Sequence, residues 1–84
     1  MEYDVVHVES VAHLHLRVAF RDGTNGDVIF EKSHLSGVFS VLNDPHFFEK
    51  VACDHGFVEW PGELDLAPDA MYQAVKEQGT WVLM

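Results

Sequence analysis

The sequence predicts an α+β fold, a small and mostly antiparallel sheet with short helices packed on one face. Three observations carry this. His13–Phe20 alternates apolar and polar residues without a break. Hairpin-type Asp-Gly and Asn-Gly pairs follow it at once. Two Pro-marked helix starts, Asp44-Pro45 and Pro68-Asp69, come later in the chain.

The elements follow in order. Asp4–Val11 is rich in β-branched residues and reads as a strand, with Val6 and Val8 on one face and Val5, His7 and Glu9 on the other. In His13–Phe20 the period of two turns Leu14, Leu16, Val18 and Phe20 one way and His13, His15, Arg17 and Ala19 the other. Asp27–Lys32 is the returning strand. An odd-length loop centred on Gly23 sets Val28 opposite Val18 and Phe30 opposite Leu16. It keeps the apolar face continuous, so a three- or five-residue loop with a bulge is predicted.

Val38, Val41 and Leu42 then recur at helical spacing over one or two turns, with Phe39 beside them. Asp44 caps a brief helix that opens at Pro45 and ends near Lys50. Val51–Trp60 reads as a hairpin turning at Asp54-His55-Gly56, with Phe57 and Glu59 facing opposite to Val58 and Trp60. Pro61-Gly62 stops the strand, and Leu64 and Leu66 turn inward while Glu63 and Asp65 stay in water. A last helix runs from Pro68 to Gly79 with Met71, Ala74 and Val75 as its apolar stripe. Thr80–Met84 is too apolar for a free tail and either adds a strand or packs on a partner. The predicted order is β-β-β, two short helices, β-β, helix. The predicted core is Leu14, Leu16, Val18, Phe20, Val28, Phe30, Phe48, Val58, Trp60, Leu66, Met71 and Val75.

The 84 residues fit one domain, residues 1–84, and leave little core to frame a deep cleft. Five basic residues stand against fourteen acidic ones, a net charge of −9. The acids run through the whole chain, so the surface repels phosphate, and neither direct nucleic-acid binding nor an anionic membrane is expected. A basic protein partner is attracted by the same field. The single cysteine, Cys53, cannot form an internal disulfide and fits the reducing cytoplasm. No basic stretch followed by an apolar one opens the sequence, so a secretory signal is not expected, and no apolar run approaches the roughly 20 residues that span a bilayer.

Three constellations could carry chemistry. Glu59, Glu63, Asp65 and Asp69 would serve as an acid–base pair only if their environments pushed two pKa values apart, and their alternation with apolar residues reads instead as a solvated face. His13 and His15 would share a strand face and could hold a metal with His7 from the neighbouring strand, a pattern that an exposed polar face also produces. Cys53 and His55 flank a turn with no third group to orient them, and a lone cysteine at a strand end is more often a small apolar residue. Neither nucleotide-binding glycine pattern occurs, and no serine sits in a nucleophile elbow. No residue is therefore assigned as catalytic, cofactor-binding or metal-binding, and the chain is expected not to be an enzyme.

Three stretches together resemble a family: Phe20–Val28, Gly37–Val51 and Phe57–Tyr72. The last holds the pattern aromatic-Pro-x-x-x-Asp-Leu-x-Pro-Asp-x-x-Tyr at Trp60, Pro61, Asp65, Leu66, Pro68, Asp69 and Tyr72. From about Val5 to Val75 the chain is similar to the bacterial domain of unknown function 2442. The resemblance implies a small α+β domain without established enzymatic activity. Some members carry a helix-turn-helix domain, for which this chain ends too soon. Others resemble standalone proteins encoded beside a partner in toxin–antitoxin-like pairs. The family offers no secure catalytic residues to carry over.

The leading expectation is a non-enzymatic interaction or regulatory module with a protein partner. An antitoxin-like partner is its sharper form, and a metal-dependent or hydrolytic enzyme using the His13/His15 face or the acidic loop is the third class. The apolar segment Trp81-Val82-Leu83 makes a homodimer a further expectation.

Overall fold

The computed structural model describes residues 2–84. Strands β1 (Val5–Ala12), β2 (His15–Phe20), β3 (Asn25–Phe30) and β6 (Thr80–Leu83) form a sheet in the order β1-β2-β3-β6. β1, β2 and β3 are antiparallel, and β6 runs parallel to β3. Between β3 and β6 lie two 3₁₀ segments (Lys32–His34 and Gly37–Asn43), helix α1 (Pro45–Phe48), a two-stranded hairpin of β4 (Glu59–Trp60) and β5 (Leu64–Asp65), and helix α2 (Pro68–Gln78). The predicted α+β class holds, and the apolar tail takes the strand alternative, with Leu83 in the core.

The alternation of β2 works as read: Leu16, Val18 and Phe20 are buried while Arg17 is exposed. Leu14 departs from it. His13 and Leu14 form the two-residue turn between β1 and β2, and Leu14 has φ 65°, a left-handed conformation outside any strand. Its side chain is half-buried against the core edge. Every other residue of the predicted core is buried, and Val5, Leu35, Leu42 and Leu83 join it.

β1 does not keep one face throughout. Val5 pairs with Phe20 but His7 pairs with Ala19, so Val6 is an extra residue. A second shift between Ser10 and Ala12 makes Val11 extra. Each bulge rotates the strand. Val5 and Val8 therefore turn to the core, contrary to the predicted faces, and Val6 and Val11 stay exposed.

The β2–β3 loop is a three-residue one, Arg21–Gly23, closed by Phe20 N–H to the Thr24 carbonyl at 2.7 Å and Gly23 N–H to the Phe20 carbonyl at 3.0 Å. Its length parity matches the prediction, but its centre lies one residue earlier. Val28 consequently faces Leu16, and Val18 faces Gly26, a two-residue correction to the predicted register. The cause is non-local. Gly26 lies under the junction of α2 and β6, where a Cβ would collide with the Gly79 carbonyl oxygen and with Val75.

Phe39 and Leu42 turn inward from the second 3₁₀ segment, while Val38 and Val41 are exposed, correcting the predicted stripe. At 3.0 residues per turn, positions 38 and 41 lie on one side and 39 and 42 on another. Asp44 caps α1 as expected, accepting from the His46 amide at 2.9 Å. The predicted hairpin before Trp60 is reduced to a bridge between Ala52 and Glu59, and the paired strands instead flank Pro61-Gly62-Glu63. Trp60 lies in the core, and its indole N–H donates to the Phe48 carbonyl at 2.9 Å. α2 opens at Pro68, buries Met71 and Val75, and stops at Gly79, whose φ of 78° suits glycine.

Candidate functional site

The second 3₁₀ segment and the β4–β5 hairpin enclose an open groove of about 350 Å³, lined by Val38, Val41, Phe47, Pro61, Gly62, Glu63 and Leu64. Its walls follow from local chemistry. Phe48 and Leu42 sink into the core, which leaves Phe47, Val38 and Val41 on the outer side of the same segments. Opposite them, Pro61 and Gly62 turn the chain, and Glu63 completes the turn with φ 66°. Val38 is 72% exposed and Val41 45%. Glu63 and its neighbour Asp65 are exposed, so the apolar floor has an acidic margin. A second, more polar hollow of about 260 Å³ lies between β1 and α1, lined by Ser10, Val11, Ala12, His13, Pro45 and Glu49.

The four acids weighed as an acid–base pair are placed separately. Glu59 and Asp65 are register partners on β4 and β5, but Asp65 is exposed and Glu59 is held by His55, whose Nδ1–H donates to it at 2.6 Å. This bond, with the charge of Glu59, raises the His55 pKa above its ordinary value of 6.5. Glu63 lies in the turn and Asp69 in the first turn of α2, both exposed. Burial pushes the Cys53 thiol upward, and the charges of Asp54 and Glu59 add to it, so the thiol stays protonated and a poor nucleophile.

The histidine face is not a face. His13 lies in the β1–β2 turn and points to the 3₁₀ segment, where its Nε2–H donates to the Leu42 carbonyl at 2.9 Å and its ring meets Phe48 edge-on. His15 stands on β2 beside Asp27, 3.5 Å away. The turn separates the two, which corrects the predicted shared face. Among the described residues no group of three or more His, Cys, Asp and Glu side chains is placed to hold a metal ion.

One polar cluster was not anticipated. Asp22, in the β2–β3 loop, accepts from the Tyr72 hydroxyl at 2.5 Å and from the Thr24 amide at 2.9 Å, with the Lys76 ammonium 3.7 Å away. The tyrosine hydrogen bond, ahead of the others, lowers the Asp22 pKa from 3.8 to about 2. The cluster ties the hairpin to α2 and gives a structural role to Tyr72, the last member of the sequence pattern, and to the Asp22-Gly23 turn. No helix among the described residues is long and apolar enough to cross a membrane.

No curated protein and no solved structure matches the chain. A family model does, described as a protein of unknown function and covering residues 5–77. That match spans most of the 84 residues, and with it the chain belongs to the DUF2442 family.

Proposed function

We propose that this protein is a non-enzymatic protein-binding module whose docking surface is the groove between the 3₁₀ segment and the β4–β5 hairpin. The partner presents an apolar side chain flanked by basic residues. The supporting observation is the exposure of Val38 and Val41 together on the wall of a groove with an acidic margin. Contiguous exposed apolar surface rimmed by polar residues marks an interaction site. The chain's charge of −9 draws in a basic partner and speeds encounter. An antitoxin-like role is one case of this mode, with the toxin as the basic partner. A half-buried lone Cys53 suits work in a reducing cytoplasm.

The test is a photo-reactive residue at position 38 in living cells, with position 70, exposed on α2, as the control. A product formed from position 38 alone, and lost when Val41→Asp is added, supports the reading. Equal products from both positions, or none, contradict it.

A further inference from the structure

We infer that the free edge of β6 pairs antiparallel with the β6 of a second copy, joining two four-stranded sheets across a two-fold axis at Val82. The two edges of the sheet differ in kind. β1 is interrupted by extra residues at Val6 and Val11 and carries His7 and Glu9, the devices that keep an edge from pairing. β6 has no bulge in its register with β3, no proline and no charge.

Its backbone is set for pairing. The Gly79 and Leu83 carbonyls accept from Asp27 on β3 and from Glu31 just after it, at 3.2 and 2.8 Å. Alternation along a strand then turns the N–H and C=O groups of Thr80 and Val82 to the open side.

The occupant is a second copy because the strand is complementary to itself. About an axis at Val82, Val82 faces Val82, Thr80 faces Met84, and Trp81 faces Leu83 of the other copy, with no charge opposed to a charge. Val82, 43% exposed, and its register partner Ile29, half-buried, become a continuous apolar strip across the axis. Half-buried Trp81 gains an aliphatic neighbour.

A four-residue edge falls short of the roughly 1,200 Å² total that stable complexes bury, so the dimer is weak, with a dissociation constant of about 1 μM or above. Each copy carries −9, so the pairing is opposed by long-range repulsion. Salt therefore strengthens it, the opposite of what salt does to a basic partner in the groove.

The experiment is sedimentation velocity over a concentration series, at about 20 mM and about 300 mM NaCl, where screening reaches from well above to below about 8 Å. The expected result is a monomer–dimer equilibrium that tightens with salt. Val82→Pro, which removes an outward N–H and leaves the β3 ladder intact, raises the dissociation constant at least tenfold. Val82→Thr retains the dimer. Far-UV circular dichroism reports folding, and Val82→Glu, which sets like charges across the axis, serves if the proline variant does not fold. A monomer at every concentration, or a dimer that folded Val82→Pro or Val82→Glu leaves unchanged, overturns the inference. A dimer lost instead through Val38→Asp places the contact in the groove and overturns it too.

Discussion

Replacing Gly26 by alanine tests the sheet register and the packing of α2 over it. In an open strand this substitution gains stability, because glycine loses more backbone freedom on folding than alanine, by about 0.5–1 kcal/mol. Here the added Cβ would overlap the Gly79 carbonyl oxygen and the Val75 side chain. Val75 can change rotamer, but the carbonyl is backbone and accepts from the Asp27 amide at 3.2 Å, the bond that starts the β3–β6 ladder. Relief must come from moving the α2–β6 junction off β3. Overpacking of this kind costs about 1–3 kcal/mol and occasionally more, which outweighs the entropic gain. We expect a net loss of about 1–2 kcal/mol, equivalent to a fall in Tm of about 4–16 °C for a domain of this size. Urea unfolding followed by tryptophan fluorescence, from Trp60 and Trp81 together, measures it. A variant as stable as the parent, or more so, would refute the packing of Gly26 beneath Gly79 and with it the pairing of Val18 with Gly26.

Three further outcomes are expected. Tyr72→Phe removes the hydroxyl that donates to Asp22, so the Asp22 pKa rises from about 2 towards 3.8. Because the folded value is depressed, the stabilisation is present above 3.8 and lost as pH falls through about 2; a carboxyl-carbon NMR titration that does not move contradicts the bond. His55→Gln should lower Tm at pH values below the ordinary histidine pKa of 6.5 and leave it unchanged at alkaline pH. The folded pKa is raised, so that stabilisation is lost as pH rises through it; an equal offset at both ends of the range speaks against the Glu59 pairing. Leu42→Ala, at a position with no exposure, should cost about 2–5 kcal/mol in denaturant unfolding; a change within experimental scatter would mean that the 3₁₀ segment does not pack on the core.

What the sequence made legible was whatever local chemistry decides. The period of two in Leu16–Phe20, the Asp44-Pro45 and Pro68 helix starts and the Gly79 stop need only neighbouring residues to take effect. The illegible parts depend on distant segments or on a change of period. Gly26 sets its register through residues some fifty positions away, and the Val6 bulge inverts the faces of β1 without any glycine or proline to announce it. The groove stayed hidden because Val38, Val41 and Leu42 fit a period of 3.6 as one stripe, whereas the 3₁₀ winding divides them into a wall and a core residue. The acidic residues around Trp60–Tyr72 stand apart from one another, Glu63 in the turn, Asp65 on β5 and Asp69 in the first turn of α2, all exposed.

The groove itself is tested most directly by titrating the protein captured from position 38 into purified wild-type and Val41→Asp chains in a calorimeter. Surface substitutions of this kind shift stability by no more than about 0.5 kcal/mol, so a change in binding reports the contact and not the fold. The account predicts at least a tenfold loss of affinity for Val41→Asp and a wild-type affinity that weakens as salt rises. Equal affinities for the two chains, with the same dependence on salt, would contradict it.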